Sequence, residues 1–258
     1  MELFDSHSHY NDEKFEFDRD EILKSVYEAG VKKIIVAGYD IESSKKAIAL
    51  SEKYDYIYAI CGISPNDIPE TEKELEEQVK IIKNIANNKK VVAIGEIGLD
   101  YYWNKENKEL QKTAFDLQIN LANELKLPIV IHTRDAYIDT IAILKNNLPE
   151  KRGVFHCCPL NLELIKDGLE LDFYISLAGP ITFKNSKNSD EVIKLIPLNR
   201  MLIETDCPYL SPEPHRGTRN DSRNMIHQVR KIAEVKQISE EDVAKTTYIN
   251  AQEIFSIK

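Results

Sequence analysis

Short apolar runs recur along the chain, and each is followed by a longer stretch in which charged and apolar residues are mixed. The runs are rich in valine, isoleucine and aromatic residues and are too short for helices, which is typical of buried parallel strands. Eight of them are predicted as strands, at residues 3–5, 33–38, 57–63, 91–95, 128–132, 153–156, 173–177 and 201–204.

The stretches between these runs show the period of amphipathic helices, as at Leu75, Val79 and Ile82. Gly30 is a favourable residue for ending a helix. Ser239, with Asp242 three residues later, is typical of a capped helix start. Helices are therefore predicted over residues 18–29, 71–86 and 106–126, and from Ser239 to about Phe255.

Strand and helix alternate eight times within 258 residues, or about 32 residues per unit, which is close to the size of one βα repeat. This pattern predicts an α/β fold of the TIM-type (β/α)8 barrel class. No linker or change of composition divides the chain, so we expect a single domain over residues 1–258. Hydrophobic periodicity alone would also fit a doubly wound sheet.

Composition narrows the class of protein. Hydrophobic residues make up 42%, yet no stretch approaches the roughly 18 apolar residues that a membrane-spanning helix needs. The 34 basic and 43 acidic residues give a net charge of −9, which argues against a broad basic face that coats nucleic acid. Four cysteines without a CxxC pair, and an N-terminus without export features, predict a cytoplasmic protein.

Polar residues interrupt the apolar pattern at the carboxyl ends of the predicted strands. The histidines and carboxylates at these ends are His7, His9, Glu96, His132, His156, Glu204 and Asp206. Each alone has an ordinary structural explanation. In a barrel, however, these strand ends meet at one face, where burying so many unsatisfied polar groups would be costly. Imidazole and carboxylate are natural ligands of divalent metals, so the sequence predicts a metal centre at this face.

Four histidines and two carboxylates exceed the three protein ligands of a mononuclear hydrolytic zinc site, so two metal ions are expected. We assign His7, His9 and Asp206 to one ion. The second ion receives His132 and His156, and Glu96 is expected to bridge the two. Two divalent cations outweigh the two carboxylates, so the pocket attracts phosphate although the protein is acidic overall.

The order of motifs resembles that of the TatD family of metal-dependent deoxyribonucleases, within the amidohydrolase-like superfamily. The matching segments run almost from end to end and read FDSHSHY, IGEIGLDYYW, IHTRDA, FHC, GPITFKN, ETDCPYL and RGTRN. The resemblance implies a barrel enzyme that hydrolyses DNA phosphodiester bonds, with the same six ligands. One departure lies beside the predicted pocket: Cys-Cys-Pro-Leu at 157–160 stands where the family usually has Cys-Phe-Ser-Gly.

The resemblance leads to a hypothesis for the mechanism. A water activated by the metals attacks a phosphorus atom, Asp206 takes its proton as general base, and Glu96 completes the catalytic pair. Glu204 is expected to support a ligand through a hydrogen bond, with binding of a further metal ion as the alternative.

Contacts to the substrate are assigned to residues near the predicted mouth. Arg134, Arg216 and Lys184 are expected to bind phosphates, because guanidinium and ammonium groups pair with phosphate oxygens. Tyr101 follows the Glu96 motif and is expected to stack on a base.

Two alternatives remain open at the level of sequence. The same ligands would serve an aminoacyl-tRNA deacylase or another ester hydrolase, because metal ligands do not encode the electrophile. A non-catalytic barrel that binds metal or nucleic acid is the second alternative. The metal is expected to be Zn²⁺, Mg²⁺ or Mn²⁺, DNA is the expected partner, and no membrane or protein partner is expected of a monomer.

Overall fold

The computed structural model describes residues 1–258, and its eight parallel strands follow one another around a single sheet in sequence order. The strands are β1 (Leu3–Ser8), β2 (Val31–Ala37), β3 (Ile57–Cys61), β4 (Val91–Asp100), β5 (Ile129–Arg134), β6 (Gly153–Phe155), β7 (Tyr174–Leu177) and β8 (Met201–Ile203). Helices separate consecutive strands, so the predicted (β/α)8 barrel is confirmed.

The helices form the outer layer. They are α1 (Arg19–Glu28), α2 (Ile41–Lys53), α3 (Glu72–Ile85), α4 (Lys108–Leu125), α5 (Tyr137–Asn146), α6 (Leu162–Glu170), α7 (Ser189–Leu195), α8 (Met225–Lys236) and α9 (Glu240–Ile254). Short 3-10 helices lie at Glu13–Phe15, Gly179–Thr182, Leu198–Arg200 and Ser222–Asn224. The predicted cap of α9 is present, since Ser239 Oγ accepts a hydrogen bond from the amide of Asp242 at 3.0 Å. No helix combines the length and the apolar character needed to cross a membrane.

Neighbouring strand residues belong to two separate cores. Ile34 packs into the layer between sheet and helices, whereas Ile35 joins a smaller cluster that draws on every strand of the sheet. The end of α9 completes this smaller cluster with Phe255, whose ring lies 6.5 Å from that of Phe4 on β1. The barrel interior is therefore a packed hydrophobic core that α9 helps to fill.

The first and last strands are joined at the carboxyl end of the barrel. The amide of Asp206 donates to the carbonyl of His7 at 3.0 Å, and the amide of His9 donates to the carbonyl of Cys207 at 2.7 Å. Ser6 Oγ adds a hydrogen bond to the carbonyl of Ile203 at 3.0 Å. These contacts bring the segments that carry the first and last candidate ligands side by side.

Strands β1 and β4 extend furthest beyond their predicted ends. β1 was expected over residues 3–5 and β4 over residues 91–95, but they continue to Ser8 and Asp100. His7 and Glu96 therefore lie within strands rather than after them. The prediction was wrong here because polar residues interrupt the apolar runs, although the backbone still pairs with its neighbours.

Candidate metal centre

Irregular pairing marks both extended strands at the candidate ligands. Between Asp5 and Ser8, β1 advances three residues while β2 advances two, and β4 does the same against β5 between Ile94 and Ile97. Such bulges redirect side chains at barrel rims. They contain His7 and Glu96, and so contribute to aiming these two side chains at the mouth.

Gly98 allows β4 to approach β5 closely beside the site. Its φ is +135°, and a Cβ there would lie 2.0 Å from the carbonyl oxygen of His132. Only glycine fits both the backbone angle and this distance. The pairing of Gly98 with His132 thus brings the fourth and fifth strand ends together.

The first group of candidate ligands converges on one point. His7 Nε2 and His9 Nε2 are 3.3 Å apart. Glu96 Oε2 lies 3.5 Å from His7 Nε2, and Asp206 Oδ1 lies 3.2 Å from His9 Nε2. These are the residues that the sequence assigned to the first ion together with the expected bridge.

The second group meets the other oxygen of the same carboxylate. Glu96 Oε1 lies 2.9 Å from His132 Nδ1 and 3.2 Å from His156 Nε2. The two imidazole nitrogens are themselves 3.3 Å apart. Glu96 thus stands between two pairs of histidines and presents one oxygen to each pair.

The arrangement fits divalent cations. Ring nitrogens that face one another, with carboxylate oxygens between them, offer several lone pairs to the same small volume. Three clusters have ligand atoms within 4.8 Å of one another, and they are His7–His156–Asp206, His7–His9–Glu96 and Glu96–His132–His156. Nitrogen and carboxylate oxygen donors at this density suit Zn²⁺ or Mn²⁺, and the carboxylates suit Mg²⁺.

The charges of these groups depend on one another. Burial alone would raise the pKa of Glu96, but the positive charge of His156 and hydrogen bonds with the histidines hold it well below its usual range. Burial would lower the pKa of His156, but Glu96 and Glu204 hold it well above the usual value. The pKa of His7 is lowered, mainly by burial. The charged forms of Glu96 and His156 therefore stabilise each other, whereas burial favours the neutral form of His7.

Sequence reasoning missed Asp100, which supports His132 from behind. Asp100 Oδ2 lies 3.0 Å from His132 Nε2, while Nδ1 of the same ring faces Glu96. The carboxylate is fully buried and also accepts hydrogen bonds from the amides of Tyr102 and Trp103. Burial would raise its pKa, but the hydrogen bond with His132 and those from the backbone lower it to about 2. The position of this second carboxylate at the end of the apolar strand β4 could have identified it from the sequence.

Glu204 lies behind His156. Its Oε1 is 3.4 Å from His156 Nδ1 and accepts a hydrogen bond from the amide of Cys157 at 2.7 Å. Its Oε2 is buried and has no hydrogen-bond partner. The structure therefore places Glu204 beside a candidate ligand and outside the three ligand clusters.

A cavity of about 760 Å³ opens above the cluster. Arg134 lines it, and its guanidinium carbon lies 3.8 Å from the centre of the Tyr102 ring. Trp103 and Tyr209, which are 69% and 45% exposed, also line this cavity. One guanidinium and two exposed aromatic rings therefore line the mouth, together with the carboxylates of Asp12 and Asp67.

The other expected substrate contacts are more distant. Arg216 lines a neighbouring cavity, and Lys184 lines a separate cavity beside α7 and α8 that shares no residue with the mouth. Tyr101 is 7% exposed and borders a further cavity, with its hydroxyl donating to Asp139 at 2.7 Å. Of these candidates, the structure brings only Arg134 into the mouth itself.

Comparison with known proteins agrees with this architecture. Residues 4–256 match the family described as TatD related DNase. The metal-dependent hydrolase YabD of Bacillus subtilis is 42% identical over 256 residues, which cover 99% of both chains. The metal-dependent hydrolase YcfH of Escherichia coli is 33% identical, with 100% of this chain and 97% of that protein covered.

A solved structure shows the same fold. The TatD homologue YJJV of Escherichia coli superposes with a TM-score of 0.93 at 26% identity, covering 99% of this chain and 98% of that one. Family match, relatives and architecture agree over nearly the whole length. The chain therefore belongs to the TatD-related DNase family of metal-dependent hydrolases.

Proposed function

We propose that this protein is a deoxyribonuclease that hydrolyses phosphodiester bonds with two divalent metal ions. The observation that carries the proposal is the central position of Glu96, which faces His7 and His9 with one oxygen and His132 and His156 with the other. Glu96 would bridge the ions, and Asp206 would complete the first site. Divalent cations bound there would lower the pKa of a water towards neutrality and stabilise charge on phosphorus.

Asp206 is the proposed general base. Its side chain lines the cavity, and its Oδ1 lies 3.2 Å from His9 Nε2. Burial would raise its pKa, but the hydrogen bond with His9 and the positive charges of His9, His156 and His7 together lower it. The carboxylate is therefore ionised near neutral pH and can hold the proton that an attacking water releases.

Arg134 is the proposed phosphate contact at the mouth. It forms no salt bridge with a carboxylate, and its guanidinium is held against Tyr102. A guanidinium that is preoriented in this way can bind two phosphate oxygens at once. It would orient the phosphodiester over Glu96 and Asp206.

The test is hydrolysis of a single-stranded DNA oligonucleotide by chelated protein, with Zn²⁺, Mg²⁺ and Mn²⁺ added back separately. We expect Asp206→Asn and His156→Ala to reduce the rate about 100-fold or more, because each removes a proposed ligand or the base. Asp55→Asn changes an exposed carboxylate that forms no salt bridge and serves as the matched control. Circular dichroism would verify that each variant is folded.

Wild-type activity that survives in both site variants would overturn the proposal. Aminoacyl-tRNA is assayed alongside DNA, because the same residues could direct a water at an ester carbonyl. Hydrolysis of the tRNA ester without hydrolysis of DNA would replace the proposed substrate.

Two further expectations accompany the proposal. All four cysteines are unpaired, which supports a reducing, cytoplasmic location. The most exposed large apolar side chains are Phe17, in the turn before α1, and Ile138, on α5, and their separation in the chain supports a monomer. Size-exclusion chromatography with light scattering tests the oligomeric state.

A further inference from the structure

The cavity above the metal centre has two neighbouring cavities at the barrel mouth and shares lining residues with each of them. One, here called the apolar cavity, shares Thr133 and Pro159 with it and is built by the segments after β4, β5 and β6. The other, here called the basic cavity, shares Tyr209 and Leu210 and is built by the segments after β1, β7 and β8. A substrate bound over the metal centre can therefore extend in both directions.

The basic cavity is suited to phosphates. It has a volume of about 690 Å³ and is lined by Lys14, Arg216 and Arg219, with no carboxylate among its lining residues. Arg219 is paired with Asp18, at 2.9 Å between Nη1 and Oδ1. Lys14 and Arg216 form no salt bridge and lie over aromatic rings. Their charges remain available to a polyanion.

The apolar cavity has the opposite character. It has a volume of about 640 Å³, and no lysine or arginine lines it. Asp139 is already paired with Lys112 at 3.0 Å, whereas the exposed Asp135 forms neither a salt bridge nor a side-chain hydrogen bond. A phosphate entering here would face a carboxylate without a compensating cation, which is unfavourable.

The remaining walls of the apolar cavity suit a flat, uncharged group. Tyr137, Ile138, Pro159 and Leu160 form much of its lining, and Ile138 is 77% exposed. Its volume lies within the range of small-molecule sites, and aromatic and aliphatic walls favour a nucleobase.

We propose that the apolar cavity is a subsite for one nucleobase, that of a terminal nucleotide of the substrate. The remaining phosphates of the strand then lie towards Lys14 and Arg216 in the basic cavity. The difference in charge between the two cavities selects this direction of the DNA, because its negatively charged backbone is repelled by Asp135 in the apolar cavity. The inference rests on the proposed nuclease function. It assigns a terminal nucleobase of the DNA to the apolar cavity and the backbone phosphates to the basic cavity.

Binding of thymidine, an uncharged nucleoside, tests the subsite without catalysis. We expect Leu160→Asp and Ile138→Asp to weaken thymidine binding about tenfold, as followed by ligand-observed NMR, because each places a charge in an apolar wall. Ile249→Asp is the matched control, since Ile249 is 49% exposed on α9 and lies outside this cavity. Ile138 is exposed, so its substitution leaves folding intact even if Leu160→Asp does not.

A second experiment tests the direction in which the DNA substrate lies across the two cavities. Oligonucleotides ending in a hydroxyl are compared with oligonucleotides that carry a phosphate on the 5′ or the 3′ terminus. We expect one of the terminal phosphates to raise KM about fivefold, and Asp135→Asn to remove most of this penalty, because it removes the unpaired carboxylate. Ile249→Asp, which lies outside both cavities, is the control and should leave the KM values of all three oligonucleotides at their wild-type levels.

The outcomes separate the two proposals. Thymidine binding that is unaffected by both Ile138→Asp and Leu160→Asp, or terminal phosphates that leave KM unchanged, would refute the subsite while leaving the nuclease function intact. Thymidine binding that depends on Ile138, in a protein that hydrolyses no oligonucleotide, would instead refute the nuclease function and support a nucleoside-binding cavity.

Discussion

At the scale of single residues, the site depends on which nitrogen each histidine presents. His7, His9 and His156 face the cluster with Nε2, whereas His132 faces it with Nδ1. Asp100 explains the difference, because its carboxylate lies 3.0 Å from Nε2 and would accept a hydrogen bond from it when Nδ1 binds a metal. A buried carboxylate thus selects the tautomer of a candidate ligand.

This role predicts the behaviour of Asp100 variants. We expect Asp100→Ala to lower the affinity for divalent metal about 10- to 100-fold, because His132 loses the partner that orients it. Asp100→Asn keeps an acceptor oxygen and should lose less. Isothermal titration of the metal-free protein with Zn²⁺ measures the effect, with Asp55→Asn as control. Wild-type affinity in Asp100→Ala, in a folded protein, would contradict the positioning role.

At the scale of elements, hydrogen bonds tie the end of β4 to two helices. Asp139 on α5 accepts a hydrogen bond from Tyr101, just after β4, at 2.7 Å and pairs with Lys112 on α4 at 3.0 Å. These bonds cross between helices that are adjacent around the barrel. They fix the wall of the apolar cavity, which Tyr101 and Asp139 both line.

The Asp139 contacts predict a pH-dependent contribution to stability. The hydrogen bond from Tyr101, followed by that from Lys112, lowers the pKa of Asp139 below its usual value of 3.8. The stabilisation is therefore present above pH 3.8 and is lost as the pH falls through the lowered pKa. We expect Asp139→Asn to reduce the free energy of unfolding at pH 7 by about 0.5–1 kcal/mol, allowing for solvent screening.

Urea denaturation at pH 7 and near pH 3 measures this difference. The gap between wild type and Asp139→Asn should narrow at the lower pH, whereas Asp55→Asn should follow wild type at both. A difference in unfolding free energy between wild type and Asp139→Asn that grows at low pH would contradict the proposed stabilisation by ionised Asp139.

At the scale of the whole molecule, the candidate metal centre and the interior hydrophobic core that α9 completes lie at different ends of the barrel. The candidate ligands occupy the carboxyl end of the strands, and α9 packs on the interior core through Phe255, beside Phe4 near the start of β1. In barrels of this class, the carboxyl face carries function and the opposite face carries stability. Residues at the barrel mouth can therefore be substituted without disrupting the packing of the interior core.

This separation predicts the effect of emptying the far end. Phe255 is 3% exposed, and we expect Phe255→Ala to cost about 3–5 kcal/mol of unfolding free energy, because it leaves a cavity in the interior core. Phe17 is 99% exposed, so Phe17→Ala is the matched control and should change stability by less than about 0.5 kcal/mol. Thermal denaturation measures both, and the metal affinity of folded Phe255→Ala should equal that of wild type.

Much of the architecture can be read from the chain alone. Eight short runs rich in β-branched residues predict the strands, since buried parallel strands and amphipathic helices have distinct periods. The helix at Glu72–Ile85 lies within one residue of its predicted ends, because helix capping and hydrophobic periodicity depend only on residues close together in the sequence. The candidate ligands stand out for a similar reason, as imidazoles and carboxylates at strand ends.

The sequence by itself determined the eight-unit alternation and the chemical identity of the candidate ligands, because both depend on residue type and local spacing. Only the tertiary structure decided that bulges in β1 and β4 contain His7 and Glu96, that Asp100 stands behind His132, and that the two flanks differ in charge. These features arise from pairing between strands and loops that are distant in the chain, and hydrophobic period carries no information about such register.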